Sequence, residues 1–372
     1  MINKKIWIWQ QGSYPNFTYD KSKLESLLLD IKYQQGLLDG IYKNINANDL
    51  KLAKVEILTT EAIDTSAIEG EILSRDSVRS SIAKKLGITL EKDFSNSQTD
   101  GLVDILLDAT LYYDKEFTLE RLFGWHNALF PTGYNSVYKI NVAQFRGKED
   151  MQVVSGPIGK EKIHYVAPSR DILDVEMDTF LEWINDDNDT SIIKAAIAHL
   201  WFVIIHPMDD GNGRIARALT DMLLARESKQ TYKMYSISNA IKNDKKNYYD
   251  VLEQTTSGST DITLWLEWFL QTLLSALHNS KNNLEFILQK TRFWDAHRET
   301  VLNERQIKVL NKLLDVGVGN FTGGMNTRKY ASMTKVSKPT ASREIKDLVQ
   351  KSCLIQVPET AGRNISYDIK IV

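Results

Sequence analysis

Two apolar helices separated by a short loop are predicted near the middle of this sequence. The loop and the start of its second helix, His206–Arg217, have the sequence HPMDDGNGRIAR. Residues 192–205 are apolar with helical spacing, and Pro207 predicts that this first helix ends at or near His206. The helical pattern resumes at Arg214, so the loop opens the second helix.

The Gly-Asn-Gly segment of this loop predicts an anion-binding site. At a helix N-terminus the first backbone N–H groups have no partner within the helix, and the helix dipole is positive there. Gly211, Asn212 and Gly213 therefore offer an anion cradle. Arg214 and Arg217 are three positions apart, so they share one helix face and can clamp two neighbouring phosphates.

Two other side chains of the loop add a metal ligand and a base. Asp210 offers hard carboxylate oxygens, which suit a Mg²⁺ ion that bridges phosphate oxygens. His206 can act as a base near neutral pH. An EF-hand loop is excluded because no Glu stands at its twelfth position, and the chain contains no Gly-Lys-Ser/Thr of a P-loop. A base, a metal carboxylate, an anion cradle and two arginines are the groups that nucleotidyl transfer needs.

Residues 206–217 resemble the Fic family motif, H-x-F-x-D/E-G-N-G-R-x-x-R. Every fixed position matches except the Phe, where this chain has Met208, and Met can fill a buried pocket of that kind. The resemblance implies a protein adenylyltransferase, which moves AMP from ATP to a Ser, Thr or Tyr hydroxyl of a protein substrate or of itself. The implied roles are His206 as base, Asp210 as Mg²⁺ ligand, Gly211, Asn212 and Gly213 as binders of the α- and β-phosphates, and Arg214 and Arg217 as stabilisers of the charge on the transition state and leaving pyrophosphate.

A glycine follows the second predicted helix of the chain, which spans Leu50–Ile68. Glu69, at the C-terminus of that helix, is mildly unfavourable with the helix dipole, which suggests a partner elsewhere. In Fic proteins the pattern S/T-x-x-x-E-G/N marks an inhibitory helix, and Thr65, Glu69 and Gly70 match it. The resemblance implies that Glu69 pairs with Arg217 and keeps the ATP γ-phosphate out of that site.

Two β-like runs around a Pro/Gly turn, between residues 145 and 168, predict a hairpin. The resemblance implies a flap that holds the target peptide by strand addition, with Met151–Gly156 and Ile163–Val166 as its strands. The further nucleotide-binding residues are Val154, Ser155 and Gly156 on the flap, and Tyr248 and Tyr249, which resemble the Fic position that flanks the adenine.

Residues 303–372 predict a separate unit. Its expected elements are helices over Glu304–Leu314, Thr327–Thr334 and Ser337–Val349, then strands over Leu354–Val357 and Ile365–Ile371. This order resembles a winged helix-turn-helix. The segment holds 12 Lys/Arg and 6 Asp/Glu, a net charge of +6, so a chain total of −2 leaves −8 for the rest. A basic module on an acidic body suggests a DNA-facing surface, although such modules also dock proteins or form homodimers.

The third helix of this tail is the expected DNA-reading element. Groove-facing residues usually lie in its first turns, which here contain Ser337, Lys338, Thr340 and Ser342. Four basic residues are placed for phosphate contacts, namely Lys335, Arg343, Lys346 and Arg363.

The expected fold is mainly α. We expect a helical N-terminal region over 1–100 that contains the inhibitory helix (about 55–70), a helical Fic core with one β-hairpin flap over 101–280, a helical connector over 281–302, and a small α+β winged-helix domain over 303–372. The single cysteine, Cys353, excludes a disulfide framework, and no uncharged run of eighteen residues could span a membrane. No signal peptide is visible, so we expect a cytoplasmic protein without a membrane partner.

Two alternatives remain open at the level of sequence. Some Fic relatives remove AMP from proteins, with the inhibitory glutamate positioning a water molecule. The chain could also be a DNA-binding regulator in which the Fic core senses a nucleotide.

Overall fold

A computed structural model describes residues 6–43, 45–88, 93–135, 138–155, 160, 162–231, 233–317, 321–358, 360, 362 and 365–370. The chain divides into two compact units, Met1–Ser280 and Lys281–Val372. Helices dominate both units and the strands form small antiparallel pairs, so the predicted mainly α fold is confirmed.

The first unit is a helical body with two short hairpins between its fifth and sixth helices. Its elements are α1 (Glu25–Tyr42), α2 (Ala47–Ile68), α3 (Arg75–Lys85), α4 (Ser97–Leu111), α5 (Leu119–Leu129), β1 (Tyr134–Asn135), β2 (Tyr138–Lys139), β3 (Gln152–Ser155), β4 (Lys162–Val166), α6 (Leu173–Asn185), α7 (Ile192–Ile205), α8 (Asn212–Ser228), α9 (Ile237–Asn243), α10 (Lys245–Thr256) and α11 (Thr263–Ala296), whose last residues belong to the second unit.

The helix pair α7 and α8 forms the centre of this unit. Nearly every side chain of α7 is buried, as expected for a helix that is apolar all round. His206 caps α7 in the left-handed conformation, with φ of 50°, and Pro207 prevents the helix from continuing. Gly211 precedes α8 with φ of 84°, a conformation that glycine adopts at little cost. These two turns hold residues 206–211 as a tight loop between the helices.

The residues before α1 contact the flap. Ile8–Gln10 is a turn of 3₁₀ helix. Trp9 Nε1 donates to the carbonyl oxygen of Val166 at 2.8 Å, and the ring of Trp7 meets that of Tyr165 edge to face at 5.4 Å. Both contacts attach the N-terminal segment to β4.

The hairpin predicted between residues 145 and 168 is confirmed as the antiparallel pair of β3 and β4. Gly156, one of the predicted flap residues, lies outside the described residues. A second pair, β1 with β2, was not predicted, because strands of two residues carry no alternation to recognise.

The second unit has its own apolar core. Its elements are α12 (Glu304–Val316), α13 (Thr327–Thr334), α14 (Lys338–Gln350), β5 (Leu354–Gln356) and β6 (Tyr367–Ile369). Buried side chains that include Leu310, Tyr330 and Ile345 join the three helices to the strand pair. The order of elements is the predicted one, with strands shorter than expected. Arg363, expected at the tip between the strands, lies outside the described residues.

Candidate active site

The loop between α7 and α8 is closed by its own side chains. Met208, at the motif position that departs from the family pattern, is fully buried. The Asn212 amide accepts from the Met208 backbone N–H at 3.0 Å and donates to the Met208 carbonyl at 2.8 Å. The Asn212 side chain is therefore engaged within the loop, and its backbone N–H is the group left for an anion.

A carboxylate lies against the predicted anion cradle. A Cβ added at Gly213 would come within 2.2 Å of Glu69 Oε1, so only glycine allows this approach. A Cβ at Gly211 would meet the Phe130 ring at 2.9 Å. The glycines thus let Glu69 reach the backbone at the start of α8 from one side while the Phe130 ring packs from another.

Glu69 and Thr65, at the end of α2, both bind Arg217. Arg217 Nη2 donates to Glu69 Oε1 at 2.7 Å, and its Nε donates to Thr65 Oγ1 at 2.7 Å. Arg217 is only 1% exposed, and its Nη1 has no hydrogen-bond partner within the described residues. The structure therefore places Glu69 against Arg217, the pairing that the resemblance implies, and adds Thr65 as a second partner of the same arginine. Gly70, with φ of 85°, ends the helix and is exposed.

The opposite charges of Glu69 and Arg217 shift the pKa values of both groups. Burial alone would raise the pKa of the Glu69 carboxyl, but the charges of Arg217, Arg214 and Lys245 outweigh burial and hold that pKa below its ordinary value. Burial would likewise lower the pKa of Arg217, and the charge of Glu69 reverses this, so the pKa of Arg217 is raised. Both groups are charged at neutral pH.

Glu71 is a site residue that sequence reasoning missed. Arg214 Nη1 donates to Glu71 Oε2 at 2.8 Å, and the guanidinium lies over the Phe130 ring at 5.0 Å from its centroid. Both arginines expected to hold phosphates are thus paired with carboxylates at or just after the end of α2. The available signal was a second acidic residue two positions after Glu69.

His206 is half-buried with its Nδ1 near a carbonyl. Nδ1 lies 3.2 Å from the Val203 carbonyl oxygen, which favours the tautomer with the proton on Nδ1 and a free lone pair on Nε2. Burial lowers the pKa of His206 from 6.5 to about 4. The imidazole is therefore neutral at pH 7, as a general base must be.

Arg146, also missed from the sequence, holds the backbone of His206. Its Nε donates to the His206 carbonyl at 2.8 Å, and its backbone N–H donates to the Pro207 carbonyl at 2.9 Å. Its Nη2 donates to the Pro168 carbonyl beyond the flap, and the side chain is 2% exposed. Arg146 acts only through carbonyl groups, so no spacing rule in the sequence marks it.

Asp210 is held by neighbours but is not enclosed in a ligand cage. Its carboxylate accepts from the Gly211 N–H at 2.5 Å and from the Asn135 amide, and His126 Nε2 lies 3.1 Å from its carbonyl. Over the described residues, no group of three or more His, Cys, Asp or Glu could hold a metal ion. Such a site fits Mg²⁺ only in the way that nucleotide enzymes use it, with one carboxylate and the phosphate oxygens of the substrate.

A cavity of about 600 Å³ lies between this loop, the flap and α10. Val154 and Ser155, which are predicted to bind the nucleotide, line it from the flap. Tyr248 is 2% exposed and its hydroxyl pairs with His199 Nε2 at 3.0 Å, whereas Tyr249 is 40% exposed. Of the two tyrosines, Tyr249 offers more ring surface to a ligand.

Comparison with known proteins finds two families in this chain. Residues 116–224 match the Fic/DOC family, and residues 7–88 match a family described as "Domain of unknown function (DUF4172)". Residues 116–224 are a Fic/DOC family domain. The helices α1, α2 and α3 thus lie within the second match, and α10 lies beyond both.

Relatives carry the same family name. The chain is 24% identical over 279 residues to "Protein adenylyltransferase Fic" of Drosophila virilis, covering 71% of this chain and 54% of that protein. For the protein of the same name from Drosophila ananassae the identity is 26%, covering 66% and 48%. The chain spans about half the length of these curated relatives. A crystal structure of a Fic family protein from Desulfovibrio desulfuricans G20 has the same fold, with a TM-score of 0.54, 16% identity and coverage of 93% and 95%.

The Fic domain supplies only part of the site. His206 and the cradle lie within it, but Glu69 and Thr65 come from before it and Tyr249 from after it. Across the residues placed in the structure, no helix has the length and apolar character needed to cross a membrane.

Proposed function

We propose that this protein transfers AMP from ATP to a hydroxyl group of a protein and that Glu69 inhibits it. One observation supports this most strongly: the Glu69 carboxylate lies against the helix N-terminus at Gly213 and pairs with Arg217. A helix N-terminus beside a buried arginine is an anion site, and here a carboxylate of the same chain takes it. The names of the relatives supply the nucleotide, ATP.

Two buried arginine nitrogens support phosphate as the anion. Arg217 Nη1 and Arg214 Nε have no hydrogen-bond partner within the described part of the chain. Buried donors without partners are costly, and the oxygens of a polyphosphate would satisfy them. The phosphates of ATP could therefore accept hydrogen bonds from these two nitrogens, which have no partner while Glu69 binds Arg217.

In the proposed reaction His206 Nε2 takes the proton of the acceptor hydroxyl. The hydroxyl oxygen bonds to the α-phosphorus, the bond from that phosphorus to the bridging oxygen breaks, and pyrophosphate leaves. Arg214 and Arg217 stabilise the charge on the transferring group and pyrophosphate. Mg²⁺, held by Asp210 and the substrate phosphates, would neutralise further phosphate charge.

The flap is proposed to hold the acceptor segment. Val154 on β3 and Ile163 on β4 are 47% and 44% exposed, which gives the hairpin an apolar surface. An extended peptide could add to such a hairpin through backbone hydrogen bonds and cover these side chains. That would place its hydroxyl beside His206, whose cavity the flap lines.

ATP labelled at either the α- or the γ-phosphate distinguishes AMP transfer from phosphate transfer. We expect label at the α-phosphate, and not at the γ-phosphate, to reach proteins of a cell lysate in the presence of Mg²⁺, and His206→Ala to abolish it. Transfer of γ-phosphate label would contradict adenylyl transfer. Release of AMP from a modified protein, with no forward labelling, would instead establish the removal reaction.

The second unit has features of a DNA-binding module. Lys338, Arg343 and Lys346 on α14 are exposed, and Ser337 caps this helix by accepting from the Thr340 N–H. With the net charge of +6 over residues 303–372, these side chains fit contacts to phosphate groups. We propose 303–372 as a winged-helix domain that binds DNA, after a Fic core over 101–280 and a connector over 281–302.

Fluorescence anisotropy on the full chain tests the DNA proposal. Binding to duplex DNA should weaken steeply with salt, and replacing Arg343 and Lys346 by Ala should weaken it at every salt concentration. Absence of binding in low salt, together with concentration-dependent dimerisation, would make this unit a contact between two copies of the chain.

A further inference from the structure

A second set of hydroxyl, imidazole and carboxylate groups lines the same cavity. Ser155 Oγ lies 2.6 Å from His164 Nε2, and His164 Nδ1 lies 2.5 Å from Glu253 Oε2. Ser155 is on β3, His164 on β4 and Glu253 on α10. The imidazole and carboxylate are each about a quarter exposed. None of these contacts involves His206 or the cradle at α8.

A β-bulge in the flap orients the His164 side chain toward Ser155 and Glu253. The pairing is Val153 with Tyr165 and then Val154 with Ile163, so His164 is the extra residue of a β-bulge. Such a bulge re-aims a side chain and is common next to active sites. It lets two consecutive residues of β4 point inward, since Tyr165 is buried and His164 is partly buried.

Hydrogen-bond chemistry assigns the direction of each contact. A carboxylate can only accept, so His164 Nδ1 donates to Glu253. In the neutral imidazole Nε2 then accepts, and the Ser155 hydroxyl is its donor. The bonds from His164 and Lys162 lower the pKa of Glu253. This is the arrangement of a hydroxyl nucleophile, its base and the group that orients the base.

A neighbouring serine provides a contrast. The Ser257 hydroxyl, in the turn after α10, donates to the Glu253 carbonyl at 2.6 Å, as serines near helix ends commonly do. Ser155 has an imidazole nitrogen as its partner instead. A hydroxyl bonded to a basic nitrogen can lose its proton as it attacks, and one bonded to a carbonyl cannot lose its proton to that carbonyl.

We propose that Ser155 is itself an acceptor of AMP, with His164 as the base and Glu253 as the residue that orients it. The inference rests on the proposed function, because the ATP is the one bound in the shared cavity of about 600 Å³. Ser155 Oγ bonds to the α-phosphorus, the bond from that phosphorus to the bridging oxygen breaks, and pyrophosphate leaves. The hydroxyl proton moves to His164 Nε2.

Self-modification at this position has a consequence for activity. The AMP group would be attached to β3, whose residues line the cavity, and would occupy space needed by a second ATP. A modified chain should therefore transfer AMP to other proteins more slowly than an unmodified one. AMP on Ser155 would therefore limit AMP transfer in a chain whose Glu69 no longer binds Arg217.

Peptide mapping after incubation with Mg·ATP tests the proposal. We would use the full chain with Glu69→Gly and measure AMP on residue 155 and on lysate proteins in one reaction. We expect AMP on Ser155, none there in Ser155→Ala, and its return in Ser155→Thr. Thr179→Ala removes an exposed hydroxyl on α6 that bonds only to a helix carbonyl, and serves as the matched control.

The two histidines separate the two reactions. His164→Gln should slow AMP addition to Ser155 by about 10²-fold or more, the usual contribution of a general base. His206→Ala should abolish labelling of lysate proteins and leave AMP on Ser155.

Three results would overturn the proposal. Lysate labelling without AMP on Ser155 would exclude this acceptor while leaving the proposed function intact. An unchanged rate in His164→Gln would exclude the base. Absence of AMP from every protein would remove both the inference and the proposed function.

Discussion

At the scale of single residues, the protonation state of His206 decides when the base is available. Its pKa is lowered to about 4 by burial, and the charge of Glu69 raises that pKa slightly, so removing Glu69 should lower it further. The neutral, active form therefore persists as pH falls through 6.5 and is lost only near 4. In Glu69→Gly we expect the acidic limb of the transfer rate at subsaturating ATP to lie well below pH 6. A limb centred between pH 6 and 7 would contradict it.

The same shift affects stability. Because the pKa of His206 is lower in the folded chain, its contribution to stability is complete above about pH 6.5 and declines as pH falls toward 4. His206→Asn should therefore make thermal unfolding less sensitive to pH in that window. An equal pH dependence in parent and variant would argue against a buried neutral imidazole.

Arg146 is a positioning residue, because it binds the backbone carbonyls of His206 and Pro207. Arg146→Met would leave the carbonyls of His206 and Pro168 without their donor, and each buried group left unpaired costs about 1–3 kcal/mol. We expect a lower unfolding temperature and, under conditions where the fold is intact, a lower kcat with a nearly unchanged KM for ATP. Arg146→Lys, which keeps one charged donor, should fall between. A changed KM with an unchanged kcat would place Arg146 in nucleotide binding instead.

At the scale of elements, α9 and the residue before it bind α2, the proposed inhibitory helix, through two buried carboxylates of α2. Glu61 accepts from the Ser236 hydroxyl at 2.7 Å and from Ser238, while Asp64 accepts from Asn239 Nδ2 at 2.7 Å and from Lys242 Nζ at 2.6 Å. The last turns of α2, which lead directly to Glu69, are thereby bound to Ser236 and α9.

Loosening this attachment should release part of the inhibition. Asp64→Ala should lower the unfolding temperature and raise AMP transfer, though less than Glu69→Gly, because Glu69 can still reach Arg217. Glu56→Gln serves as the control, since Glu56 lies on the same helix in a half-exposed pair with Arg75. Equal activity of Asp64→Ala and parent would mean that α2 keeps its place without α9.

The sequence was informative where local patterns determine structure. The end of α7 followed from Pro207, and the start of α8 followed to within two residues from the helical pattern after the Gly-Asn-Gly segment. The flap followed from two β-like runs around a Pro/Gly turn. The contact of Glu69 with Arg217 was expected only through family resemblance. Glu71, Arg146 and the bulge at His164 were missed, because each depends on contacts between residues far apart in the chain or on the register of a strand pair.

At the scale of the whole molecule, the excess positive charge and the proposed active site lie in different units. The basic segment 303–372 belongs to the second unit, and the cavity, His206 and the proposed inhibitory helix belong to the first. The central claim concerns the first unit alone: we propose that its anion cradle binds the phosphates of ATP and that the Glu69 carboxylate blocks it.

Comparing the initial rate of AMP transfer to lysate proteins by the parent chain and by Glu69→Gly tests that claim most directly. With label at the α-phosphate of ATP and Mg²⁺ present, we predict at least a tenfold higher rate in Glu69→Gly, about 1.4 kcal/mol or more in the barrier. Glu56→Gly, which weakens the same helix at an exposed position, should stay near the parent rate, and His206→Ala should remove the gain. Equal rates in the parent and in Glu69→Gly would contradict the account, because the cradle would then be accessible with Glu69 in place.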